Sequence, residues 1–227
     1  MDFKTFLFEW SPNPIKVIAP ALDFSAYVFM DLSKDNSALQ RFDHSSSEAW
    51  THYINGYLQS RNKSIAYGGY LEVRSLYTRS DHFSTKSASD SRNIHLGVDL
   101  WCAAETPVLA AFEGVVHSFQ DNTNYGDYGP TIILKHCIET VEFYTLYGHL
   151  NRSSIKTLRK NDQISKGQVI GWLGRSEVNG DYAPHLHFQI IKNIESYEGD
   201  YPGVSSQNDL AFYRANCPDP NLILKLY

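Results

Sequence analysis

Ala183-Pro184-His185-Leu186-His187-Phe188-Gln189-Ile190-Ile191 is the stretch from which the rest of the chain can be read. Pro184 at its start, and the aromatic and β-branched residues inside it, favour a β-strand. Side chains on a strand alternate between two faces. Leu186, Phe188 and Ile190 then form an apolar face that belongs in a core, while His185, His187 and Gln189 share the other face. A helix would set the two imidazoles about 200° apart, too far for shared chemistry. A His-x-His pair on its own signals no more than two half-exposed histidines on a sheet.

A second stretch supplies partners: Asn93-Ile94-His95-Leu96-Gly97-Val98-Asp99-Leu100-Trp101. Gly97 and Val98 disfavour a helix, which places His95 and Asp99 on a turn entering a strand. A catalytic zinc site takes three protein ligands and leaves a fourth position open. His95, Asp99 and one histidine of the 185/187 pair meet that count, and a single carboxylate leaves the ion a net positive charge for Lewis-acid work. His149, in Tyr144-Thr145-Leu146-Tyr147-Gly148-His149-Leu150, ends another expected strand.

His95-x-x-x-Asp99, Tyr147-Gly148-His149-Leu150 and Pro184-His185-Leu186-His187-Phe188, in that order, resemble the lysostaphin-type zinc metallopeptidases, endopeptidases that cut peptide bridges of bacterial cell walls. The resemblance covers roughly the last two-thirds of the chain. It implies Zn²⁺ held by His95, Asp99 and His187, with His149 and His185 as catalytic histidines that do not bind the metal. It also implies a mainly β fold: an antiparallel β-sandwich of duplicated hybrid motif, here with an α+β N-terminal extension. The implied substrate is a peptidoglycan stem or bridge peptide. Two departures stand out. Such enzymes often carry a Tyr several residues before the first zinc histidine, but none lies between Tyr77 and His95, where Arg92 reads as a surface residue or as a candidate substitute. Gln189 stands where a Glu is usual.

The chain has 227 residues and a formal net charge of −5, which argues against a general nucleic-acid binder. It contains no apolar run long enough to span a bilayer. Glu9 and Pro12 cut short the apolar start, so no secretory signal is expected. Cys102, Cys137 and Cys217 match no zinc-finger spacing and read as thiols. These features together set the expectation of a cytoplasmic protein, or of a periplasmic or secreted one if a leader has been removed.

Residues 1–80 read as an extension of mixed structure and 81–227 as the metallopeptidase domain. Pro12, Pro14 and Pro20 suggest extended chain over residues 1–30, with short strands at Val17-Ile18 and Ala26–Phe29. Ser46 or Ser47 can cap a helix running to about Gln59, whose Trp50, Tyr53, Ile54, Tyr57 and Leu58 form a core-facing stripe. Thr78–Asn93 reads as a polar linker in which Asp81 and His82 are a weak metal candidate. Closely spaced strands follow at 106–112, 115–119, 131–136 and 141–146. Lys166–Gly174 loosely echoes Pro107–Val116. His117 and His136 read as structural, His136 being the replacement for His149 should His149 prove remote.

A second, narrower resemblance links Tyr70–Tyr77, Gly199–Gly203 and Cys217–Leu222 to peptidase-type modules inside intracellular chains that also carry aminotransferase and small-molecule kinase domains. The leading function is thus a zinc endopeptidase acting on peptidoglycan-like peptides. The alternatives are an intracellular metal-binding or peptidase-like module for a non-wall substrate, without hydrolysis, and a two-histidine phosphocarrier. Asp99 opposes the phosphocarrier, because a carboxylate there repels phosphate.

Overall fold

The computed structural model describes residues 2–75 and 90–227. The expectations attached to Tyr77, Asp81, His82 and most of the 78–93 linker lie outside the described residues. In chain order the elements are α1 (Phe3–Trp10), β1 (Tyr27–Phe29), α2 (Ser47–Ser60), β2 (Ile65–Gly68), β3 (Ile94–His95) and β4 (Val98–Trp101). Then come β5 (Pro107–Leu109), β6 (Gly114–Asn122), β7 (Gly129–Ile138), β8 (Val141–Gly148), β9 (Gln163–Ile164) and β10 (Val169–Trp172). The last are β11 (His185–Ile191), β12 (Val204–Ser205), α3 (Leu210–Asn216) and α4 (Asn221–Leu224).

Eight strands form one sheet in the order β1-β2-β4-β11-β8-β7-β6-β9. Only β1 and β2 pair in parallel; the other neighbours are antiparallel. β5 and β10 form a separate antiparallel pair, so the two segments whose sequences echo each other lie side by side. Val108 and Ile170 from that pair share a core with Val98, Leu100, Leu186, Phe188 and Ile190 from one face of the large sheet. The mainly β sandwich with a small helical N-terminal region is therefore found as expected.

The start of the chain differs from its reading. It is helical, because Asp2 caps α1 by accepting from the backbone N–H groups of Lys4 and Thr5 at 2.9 and 3.2 Å. Phe3 and Phe6 lie on one face and pack against Phe143. Pro12 falls beyond the helix end, where proline stops a helix without preventing it. α2 begins after its Ser46 cap as read, and buries Trp50, Ile54 and Leu58. Those side chains join Met30, Leu32, Ala66, Trp101 and Ala183 in a second cluster. Ala66 and Trp101 alternate with the first-core residues of β2 and β4, so α2 covers the opposite face of the sheet, the one that carries the histidines.

All seven residues of β11 are buried. A pattern of one covered and one open face does not describe this strand. α2 and the loops around residues 126–128, 179–183 and 200–204 roof its histidine face.

Candidate metal centre

Register places the first two members of the site. Asp99 on β4 lies directly opposite His187 on β11, and Gly148 on β8 faces His187 from the other side. His95 arrives on β3, which is pinned by pairing with Val204 of β12. The chain turns through Leu96-Gly97 to enter β4. A Cβ on Gly97 would stand 2.7 Å from the Phe188 carbonyl oxygen and 2.8 Å from the His187 ring, so no larger residue fits where these elements meet.

Three atoms converge. His95 Nε2 is 2.8 Å from His187 Nδ1, and each is 3.2 Å from Asp99 Oδ1. Among the described residues this is the one group of His, Cys, Asp or Glu side chains placed to hold a metal ion. The hydrogen bonds on the far side of each ring decide what the inward atoms are. His95 Nδ1–H donates to the Gly69 carbonyl at 3.0 Å, so Nε2 carries a lone pair. His187 Nε2–H donates to Gln189 Oε1 at 2.9 Å, so Nδ1 carries one too. Gln189 is held in that sense because its Nε2 donates to the Pro202 carbonyl and to Cys217 Sγ. Three acceptors pointed at one buried spot repel one another unless a cation lies between them. That donor set fits a metal of the His/carboxylate type.

Asp99 Oδ2 is taken by Arg74 Nη1 at 2.6 Å. Arg74 Nε in turn meets Glu72 Oε2 at 2.5 Å, and Glu72 Oε1 accepts from the Leu32 N–H. The carboxylate is thus left with one oxygen for a metal. Gly69 has φ +109°, and a Cβ there would sit 2.2 Å from Arg74 Nη2. Both the turn and the close approach require glycine.

His149 and His185 stand beside the triad, their ring centroids 4.1 Å apart. His149 Nδ1–H donates to the Asn179 carbonyl and His185 Nδ1–H to the Ala183 carbonyl, each at 2.8 Å. Each Nε2 is therefore a proton acceptor, and that of His185 lies 3.9 Å from Asp99 Oδ1. Burial, with Arg74 adding to it, drives His95 down to about 3. Burial also pushes His149 and His185 down. Burial opposes the charge on Asp99, yet His95 and Arg74 hold its carboxyl well below the usual carboxylate range. Around neutral pH His95, His149 and His185 are uncharged and Asp99 is ionised.

All five residues expected from the sequence thus meet in one place. His136 stands apart, on the core side of the sheet. Its Nδ1–H donates to the Glu113 carbonyl, and its Nε2 pairs with Thr145 Oγ1. Arg92 borders the cavity, with Nε donating to the Val204 carbonyl at 3.2 Å. Sequence reasoning missed Gly69, Glu72, Arg74 and Tyr128. The Tyr128 hydroxyl lies 3.4 Å from His187 Nε2, and its ring packs against both His149 and His187. The one available signal was its place in a long turn-rich loop next to strands that carry chemistry.

Residues 93–198 match the model of peptidase family M23. The matched segment carries His95, Asp99, His149, His185 and His187. It is 34% identical over 100 residues to the peptidoglycan DD-endopeptidase ShyC of Vibrio cholerae, covering 44% of this chain and 20% of that one. It is 32% identical over 99 residues to the glycyl-glycine endopeptidase ALE-1 of Staphylococcus capitis, covering 44% and 25%. The chain therefore aligns with a quarter or less of the length of either relative. Among solved structures, the catalytic domain of lysostaphin from Staphylococcus simulans is 27% identical, with 54% of this chain and 80% of that chain covered and a TM-score of 0.38.

Proposed function

We propose that the protein is a zinc-dependent endopeptidase acting on peptidoglycan-like stem or bridge peptides. The observation that carries the proposal is the convergence of three lone-pair atoms, from His95, Asp99 and His187, beside two further histidines whose Nε2 atoms accept protons. His95, Asp99 and His187 would hold the zinc, which when bound would supply Lewis acidity toward the scissile carbonyl.

His149 and His185 handle the proton. One accepts it at Nε2 from the attacking water, which its neutral state permits. The imidazolium so formed then offers an Nε2–H to the tetrahedral oxyanion or to the departing amine. The carbonyls of Asn179 and Ala183 keep both rings oriented throughout. Arg74 holds Asp99 with one oxygen toward the metal. The names of the relatives, a DD-endopeptidase of peptidoglycan and a glycyl-glycine endopeptidase, support the substrate class. A cytoplasmic location belongs to the same proposal, supported by three unpaired cysteines, and fractionation of intact cells tests it.

The test is metal analysis of the purified chain followed by incubation with muropeptides and oligoglycine, with products read by mass spectrometry. Zinc near one equivalent, and cleavage abolished by a chelator and restored by zinc, is the expected result. A chain that binds zinc but cleaves neither substrate class contradicts the proposal.

A further inference from the structure

Resting on the peptidase reading, we propose that the cavity next to His185 contains a binding subsite for a compact apolar side chain of the substrate, built largely by the N-terminal part of this chain. The cavity over the triad encloses about 210 Å³. One wall of it is made by Leu32, Trp50, Ile54, Trp101 and Ala183. Leu32 follows β1, Trp50 and Ile54 project from α2, and none of the three lies in the segment that matches the M23 model. All five side chains are buried, and none is charged.

This wall is continuous with the catalytic histidines. The Trp101 ring stacks on the His185 ring with centroids 5.9 Å apart and planes 25° from parallel. Trp101 and His185 are also cross-strand partners, two residues along β4 and β11 from Asp99 and His187 and so on the same face. An occupant of the wall therefore lies against the residue that handles the proton. The wall is fixed in advance. Ser47 Oγ donates to Asp181 Oδ1 at 2.6 Å, tying the start of α2 to the loop before β11. Tyr57 Oη donates to the Phe29 carbonyl at 2.7 Å, tying its other end to β1.

Of the charged groups that border the cavity beyond the triad, Arg92, Asp127 and Asp200 belong to the loops around β3, β7 and β12, while Arg74 lies over the Trp101 ring at 5.5 Å with its guanidinium held by Glu72 and Asp99. A charged side chain directed at the indole wall loses its water and meets there only Arg74, a cation already paired with Glu72 and Asp99. An apolar one needs no partner and is itself taken out of water against apolar side chains. The subsite thus selects side chains of the alanine-to-leucine class next to the scissile bond and rejects aspartate and lysine. The cavity volume, shared with the reacting peptide, sets an upper limit on size.

Acetylated tetra-alanine amides test this, with the second or third residue replaced by Leu, Asp or Lys in L and D forms. Two readouts are taken on the zinc-loaded full chain: kcat/KM by mass spectrometry, and binding by tryptophan fluorescence, since Trp50 and Trp101 line the wall. Apolar peptides are expected to exceed charged ones by more than about 10-fold at one position. Ile54→Ala should raise the Leu/Ala preference and Ile54→Phe should lower it, each by about 10-fold or more. Ile54→Val, a mild core change, is run in parallel and should move the ratio as Ile54→Ala does, by less. Equal treatment of apolar and charged peptides at both positions, or a Leu/Ala ratio that none of the Ile54 variants moves, overturns the subsite. Fluorescence that discriminates apolar from charged peptides without any cleavage supports the subsite and sinks the peptidase reading instead.

Discussion

His187 carries two duties on one ring: Nε2–H is fixed by Gln189, and Nδ1 is offered to the metal. His149 and His185 fix Nδ1–H on backbone carbonyls and leave Nε2 for the reaction. His187→Ala should therefore abolish zinc retention together with cleavage. His149→Ala and His185→Ala should keep zinc while losing about 10²–10⁴-fold in rate, the usual contribution of a general acid or base. Zinc content and peptide hydrolysis on the three variants decide this, and a His185→Ala protein that arrives without zinc reverses the assignment. Arg74 is a positioning residue that acts through Asp99. Arg74→Met should weaken zinc retention by about 10–100-fold in chelator competition. Arg74→Lys, which keeps the charge without the two-sided grip, should recover only part of it. None of this second layer was visible in the sequence. Arg74 and Asp99 are 25 positions apart and meet through the pairing of β2 with β4 and the bonds of the 71–74 segment to β3. His-x-His and His-x-x-x-Asp were legible because strand alternation and a short turn place those side chains locally.

At the scale of elements, β7 and β8 carry a hydrogen-bonded chain under the sheet. The Ala111 N–H reaches the Tyr147 hydroxyl, which lies 3.1 Å from Thr145 Oγ1, which in turn meets His136 Nε2 at 2.7 Å. His136 Nδ1–H closes the chain on the Glu113 carbonyl. The network needs neutral His136, and burial pushes that residue from 6.5 down to about 4. Between pH 6.5 and 4 the unfolded chain binds a proton here that the folded one refuses. The stability this residue contributes is thus full above pH 6.5 and is lost as the pH falls toward 4, by on the order of 3 kcal/mol. Urea unfolding of the wild type and of His136→Gln at pH 7.5 and 4.5 checks it: the variant should show the smaller drop. Strands β6 to β8 were legible from turn spacing, with ends two or more residues beyond those expected, because pairing extends a strand past its most apolar core. α1 was not legible, because the prolines that follow it masked a capped helix whose stability comes from packing on Phe143.

For the whole molecule, the N-terminal residues are part of the sheet and part of the site. β2 covers the edge of β4, and Gly69, Glu72 and Arg74 form the layer behind the metal ligands. Residues 90–227 expressed alone should therefore aggregate, or stay soluble with zinc bound at least 10-fold more weakly than in the full chain. Light scattering and zinc titration on the shortened chain provide the check. Wild-type zinc affinity in a monodisperse fragment would mean that this layer is dispensable. Composition and periodicity could not show this dependence, since it rests on which strand edge the first 68 residues cover.

The three lone pairs that face one another across a few ångströms would make a bound ion a fastener as well as the reagent of the proposed reaction. They sit on β3, β4 and β11, and β3 reaches the rest of the protein through a two-residue ladder to β12 and bonds to the 69–74 turn. Chelation should leave most of the molecule folded and loosen this corner first. Amide exchange offers the readout: the Leu96 N–H, bonded to the Gly203 carbonyl, and the His95 N–H, bonded to the Glu72 carbonyl, should exchange at least 10-fold faster after metal removal. The amides of β7 and β8 should keep their rates. Uniform acceleration across the sheet would mean that the metal holds the fold as a whole, and no change at Leu96 would mean that it holds nothing.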